Sequence, residues 1–187
     1  MSSLTAKQSP RRNRPGIRAE DWCSWSTPPL EEMDTTLAFQ QLIQSRVRSD
    51  PTDIEAILQP PESTDEAAWQ YEQLRQICLE LNSLVTLLEQ ECTYETCPEM
   101  KADEWQYLCA AHPSPQPCCA IDYIMHTLDG ATALLNSHRH FPSRVSIPEP
   151  SIKQFQNIAR RLYRVFAHAW FSHREIFLES EFTNRTV

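Results

Sequence analysis

Residues 63–88, STDEAAWQYEQLRQICLELNSLVTLL, decide the fold. Tyr71, Leu74, Cys78, Leu81, Val85 and Leu88 follow one another at spacings of 3 and 4 residues. An α-helix turns once every 3.6 residues, so this spacing puts all six side chains on one apolar stripe. Ser63 and Glu66 match the S-x-x-E capping box, which predicts the start of the helix there. Cys78 lies inside the stripe and reads as a small core residue.

The same period recurs on both sides. Upstream, Leu37, Phe39, Leu42, Ile43 and Val47 predict a helix beginning near Met33. A short piece with Ile54, Ile57 and Leu58 follows Asp50-Pro51 and ends at Pro60-Pro61. Downstream, Ile121, Ile124, Leu128, Ala131 and Leu135 mark another helix. Ser151 and Gln154 form a second capping box. It is predicted to open a helix through Ile152, Phe155, Ile158, Leu162, Val165, Phe166 and Ala169 toward Phe177. The segment SHRHFPSRVSIPEP (137–150) is a loop, and residues 98–118 are irregular. Within the latter, EWQYLCAA (104–111) is expected to make a short β-hairpin arm. The fold class is therefore all-α, a bundle of four or five main helices. Residues 1–30 are expected to be a flexible basic arm whose Trp22 and Trp25 dock on the domain.

Composition agrees with this reading. Only 2 glycines stand against 14 prolines, which disfavours glycine-rich nucleotide loops and suits helices joined by stiff connectors. Net charge is −8. Lys7, Arg11, Arg12, Arg14 and Arg18 crowd the first 18 residues, so the remainder is more acidic still and ill suited to a general nucleic-acid surface. No run matches the roughly 20 apolar residues of a membrane span, and the polar N-terminus lacks the apolar stretch of a signal peptide. The expected compartment is intracellular and reducing. The 7 cysteines cannot all pair within the chain, which also argues against stable disulfides.

QECTYETC (90–97) follows the decisive helix and holds Cys92 and Cys97. A disulfide, a redox pair, a nucleophile with its base, and half of a metal site all compete for these two thiols. The last helix carries HAWFSH, with His168 and His173. Two cysteines and two histidines are a tetrahedral zinc set, and four protein donors would make the site structural. On an ideal helix, residues five apart lie about 140° around the axis, so both rings reach one ion only if the helix end distorts. Cys109, His112, Cys118 and Cys119 form a second ligand-rich stretch. The adjacent Cys118 and Cys119 should diverge, so scattered loop and core residues are the simpler reading there.

The last helix is also basic. From Ser151 to Arg174 it carries Lys153, Arg160, Arg161, Arg164 and Arg174 and no acid. Arg160, Arg161 and Arg164 share a neighbourhood at helical spacing, and clustered guanidiniums suit phosphate. A solvated helix face and a phosphopeptide pocket both account for them.

Taken together, ILQPPESTDEAAWQYEQLRQICLELN (57–82), QECTYETC (90–97), LCAAHPSPQPCCAIDYIMHTLDGATALLNS (108–137), FPSRVSI (141–147) and RRLYRVFAHAWFSHREIF (160–177) resemble the Mob/phocein family, and within it the phocein-like branch. RPGIRAEDW (14–22) and EEMDTTLAFQQ (31–41) carry the likeness toward the N-terminus, so it spans Arg14 to Glu181. The resemblance implies a Mob-type four-helix core without catalytic activity and one structural zinc held by Cys92, Cys97, His168 and His173. It implies an adaptor that binds a striatin-type scaffold and a Ste20-like kinase in an assembly with protein phosphatase 2A, serving signalling and membrane traffic. In kinase-activating relatives a basic cluster reads phosphorylated kinase segments, and it falls here on Arg160, Arg161 and Arg164. No nucleic acid or small-molecule substrate is implied. The implied location is cytoplasmic, with peripheral association to Golgi or other internal membranes. The domain is expected over residues 31–181 with a tail at 182–187. Family members continue for a further helix or two, which is expected to leave apolar surface uncovered near Trp170 and Phe177.

Overall fold

The computed structural model describes residues 15–18, 21, 28–33 and 35–186, with side chains as far as Glu181. Most of the basic arm, including Trp22 and Trp25, lies outside the described residues. A 3-10 turn at Leu30–Glu32 precedes helix α1 at Ala38–Ser49, which begins later than its apolar pattern suggested. The Thr35 hydroxyl and carbonyl take the Leu37 and Ala38 amides into a local turn, at 3.2 and 3.1 Å, and so delay the helix. Helix α2 is the short piece Ile54–Leu58. Arg46 of α1 donates to the Ala56 and Gln59 carbonyls at 2.7 and 2.5 Å, satisfying acceptors at the end of α2.

Helix α3, Glu66–Leu88, is the centre of the domain and packs against α1 and every later helix. All six residues of its predicted stripe are buried, Cys78 among them. The N-terminus is capped by Asp65 rather than by the predicted Ser63. Asp65 Oδ1 accepts the Ala67 and Ala68 amides at 2.8 and 3.1 Å. Ser63 sits two residues upstream with φ +58, in the left-handed region, and is spent on the turn.

Strands β1 (Lys101–Ala102) and β2 (Trp105–Gln106) form an antiparallel hairpin, Lys101 opposite Gln106 and Ala102 opposite Trp105. The hairpin thus starts before the predicted EWQYLCAA segment and turns at Asp103, whose φ is +54. Cys109 and Gln116 form a further isolated antiparallel bridge. Helix α4, Ala120–Leu135, buries Tyr123, Ile124, Thr127, Leu128, Ala131 and Leu135 on one face.

Helix α5 spans Glu149–Ser172 and is entered from Pro148. The predicted cap at Ser151 is not formed, because its hydroxyl donates instead to the His140 carbonyl at 2.5 Å and ties the preceding loop down. Arg144 of that loop grips buried Glu72 of α3 with two hydrogen bonds, 2.6 and 2.5 Å, and donates to Gln40 at 2.9 Å. Helix α5 does not run on to Phe177. It stops at His173 (φ −139, ψ 52), and α6 restarts at Arg174 and continues to Thr186. Trp170 and Phe177 flank the break with ring centroids 5.3 Å apart, and the Arg174 guanidinium covers Trp170 at 3.8 Å. Trp170 remains 36% exposed and Phe177 is half-buried. Among the described residues the chain therefore has six α-helices and one two-stranded sheet, and no helix is long and apolar enough to cross a membrane.

Candidate metal centre and a neighbouring arginine cavity

The chain leaves α3 in a tight turn that presents Cys92 and Cys97 inward. The Cys92 amide donates to Leu88 and the Cys97 amide to Thr93, at 2.7 and 2.9 Å. Thr93 and Thr96 brace the turn: the Thr93 amide donates to Thr96 Oγ1 at 2.8 Å, and Thr96 Oγ1 donates to the Glu91 carbonyl at 2.6 Å. The Cys97 carbonyl receives the Ala120 amide at 2.9 Å, fastening the turn to the start of α4.

His168 and His173 face these thiols from across the domain. Cys92 Sγ is 3.4 Å from His168 Nε2, and Cys97 Sγ is 3.3 Å from His173 Nε2. The four donor atoms all lie within 4.8 Å of one another, close enough to hold one metal ion. The break in α5 is what permits this. His168 projects from the helix, whereas His173 is its C-cap residue and is freed from the 140° separation of an ideal helix.

The surroundings fix the tautomer of His168. Its Nδ1 is 2.6 Å from the Lys101 carbonyl of β1. A carbonyl oxygen only accepts, so Nδ1 carries the proton and Nε2 offers its lone pair to the cluster, an arrangement that orients metal-binding imidazoles. The Glu91 carboxylate stands 3.9 Å from His173 Nδ1. Burial pushes the Cys92 thiol up to about 12, with Cys97 beside it adding to the shift. Burial holds both His168 and His173 below the ordinary imidazole value. Cys92 and His168 are each only 1% exposed. Such a thiol is a poor free nucleophile, whereas a soft dication would displace the thiol protons and take the lone pairs of the neutral imidazoles.

The predicted arginines lie roughly one to two turns before His168 on α5. Arg160, Arg161 and Arg164 line a cavity of about 450 Å³ together with Tyr123, His126 and Asn157. Arg164 is already committed: it donates to the Tyr123 hydroxyl at 2.8 Å and lies 4.6 Å from the Tyr107 ring centroid. Arg160 and Arg161 are exposed, and among the described residues no hydrogen bond or ion pair engages their side chains. Tyr107 and Tyr123 were not evident as parts of this site, since they come from the hairpin segment and α4 and no spacing links them to α5.

The second ligand-rich stretch also gathers, with one change. Cys109, His112, Cys118 and His126 bring their donor atoms within 4.8 Å of one another. His126 of α4 takes the place expected for Cys119, which occupies the N-cap of that helix instead. The six described cysteines are all free thiols.

The chain belongs to the Mob1/phocein family, whose sequence profile matches residues 45–186. It is 55% identical over 172 residues to the MOB kinase activator-like 4 of Drosophila melanogaster, covering 91% of this chain and 77% of the relative. It is 51% identical over 187 residues to the MOB-like protein phocein of Caenorhabditis elegans, covering 100% of this chain and 83% of the relative. The maintenance of ploidy protein mob1 of Schizosaccharomyces pombe is 30% identical over 108 residues, covering 54% of this chain and 51% of the relative.

Proposed function

We propose that this chain is a non-enzymatic adaptor of the phocein type. It joins a striatin-type scaffold and a Ste20-like kinase in an assembly that includes protein phosphatase 2A, and it acts in signalling and membrane traffic. The supporting observation is the 51% identity, over the whole chain, to a phocein relative, joined by the 55% identity to a relative named for kinase activation. Zinc is the ion assigned to Cys92, Cys97, His168 and His173. Two thiolates and two imidazoles suit it, and four protein donors leave no open coordination position for a substrate. The burial of Cys92 and His168 argues against a cysteine–histidine enzyme in the same way.

The partner-binding chemistry is assigned to Arg160, Arg161 and Arg164. Two unengaged guanidiniums and a third fixed against aromatic rings make a mouth for a phosphorylated or acidic segment, as a kinase-activating Mob protein would require. The adaptor works in the cytoplasm, with peripheral attachment to Golgi or other internal membranes through its partners. Co-purification tests the reading. The folded chain should recover a striatin-type scaffold and a Ste20-like kinase from cell extract. A soluble, zinc-loaded chain that recovers neither refutes it.

A further inference from the structure

We propose that Cys109, His112, Cys118 and His126 form a second closed zinc site, separate from the Cys92 clasp. The donors come from two parts of the chain. Cys109 pairs with Gln116 through amide-to-carbonyl bonds of 2.8 and 3.2 Å, which close the loop over residues 110–115. His112 lies in that loop and Cys118 just beyond it, with His112 Nε2 at 2.8 Å from Cys118 Sγ. His126 reaches in from α4, its Nδ1 at 3.5 Å from Cys109 Sγ. The two imidazoles meet edge to face at 5.1 Å.

These separations are those of a ligand set. Zinc–sulfur and zinc–nitrogen bonds of about 2.3 and 2.0–2.1 Å in a tetrahedron put neighbouring donors roughly 3.3–3.8 Å apart. The Cys109–His126 pair stands at that spacing, as do both cysteine–histidine pairs of the first clasp, at 3.4 and 3.3 Å. The His112–Cys118 pair is closer still. Two thiols and two imidazoles, with no carboxylate among the four, are a soft set that favours zinc over magnesium or calcium. Cys109 is 2% exposed and the other three are half-buried, so the site is sheltered and complete without solvent.

The site has a structural consequence. Cys109 and His126 also line the arginine cavity. An ion between them would pin the 109–118 loop to α4 and hold one wall of that cavity against α5. Four protein donors give it no catalytic position.

Metal analysis of the purified, folded chain tests the proposal. Wild type should carry two zinc ions per chain. Cys118→Ser and His126→Asn should each lower the count to one. Where a substitution unfolds the chain, cadmium exchanged into wild type gives the answer instead: two cadmium-113 resonances of mixed sulfur and nitrogen ligation are expected. One zinc per chain, insensitive to Cys118→Ser, overturns the proposal, as does a single cadmium resonance. A Cys109–Cys118 disulfide in the intact mass of the native protein would overturn it as well. None of these outcomes bears on scaffold or kinase recovery, so the adaptor reading stands or falls separately.

Discussion

His173 terminates helix α5, and because it does, its Nε2 comes within 3.3 Å of Cys97 Sγ. A residue at that position in an unbroken helix would point well away from His168. The break therefore serves the clasp, and it also sets where α6 begins.

Removing the clasp should unfold the domain. Structural zinc is worth on the order of 10 kcal/mol in small motifs, comparable to the 5–15 kcal/mol of a whole domain. Cys97→Ser and His173→Ala should each lose an ion and most of the cooperative thermal transition. Circular dichroism during chelator titration reads this directly, and a chelated chain with unchanged melting would contradict it.

Acid should act in the same direction. His168 and His173 are held below the ordinary 6.5 by burial, so the unfolded chain binds protons more readily than the folded one. Their contribution is present above about pH 6.5 and is lost as pH falls through and below that value. Denaturant midpoints measured from pH 8 to pH 5 should decline, with zinc release over the same interval.

At the arginine cavity, the three residues should separate. Arg160→Ala and Arg161→Ala should weaken binding of a phosphoserine or phosphothreonine peptide at least tenfold while leaving stability within about 0.5 kcal/mol. Arg164→Ala should weaken binding and also cost about 1 kcal/mol, since it loses the Tyr123 hydrogen bond and the Tyr107 ring. Raising salt should reduce the affinity of wild type. Calorimetry with phosphorylated and unphosphorylated peptides makes the comparison.

The cap of α3 offers a cleaner contrast. Asp65→Ala should destabilise the domain by about 1 kcal/mol, because two amides lose their acceptor. Ser63→Gly should leave stability unchanged or raise it slightly, since glycine tolerates the positive φ there. Urea midpoints of the two variants decide it.

Glu72 is 2% exposed and depends on Arg144. Arg144→Ala would leave a buried carboxylate without its main partner and should cost about 3–5 kcal/mol. Glu72→Gln combined with Arg144→Met should recover part of that loss. A double-mutant cycle in chemical denaturation measures the recovery.

What could be read along the chain, and what could not, follows from distance. The stripe from Tyr71 to Leu88 was legible because helical period is a local property, and burial of one face follows from it. The same holds for α4 and for most of α5. Residue type and local spacing also marked Cys92, Cys97, His168 and His173 as a candidate set. Three features were not legible from helical period. Asp65 displaced Ser63 as the cap because a left-handed turn had already taken the serine, and Ser151 was drawn from its cap by the His140 carbonyl of the packed loop. His126 joined Cys109, His112 and Cys118 only because α4 packs beneath the loop that carries them, and no local period connects these residues. Sequence alone determined most of the helices and the types of donor available, but not the break at His173. Packing decided which donors meet, because a metal cluster depends on positions in space that local periodicity does not encode.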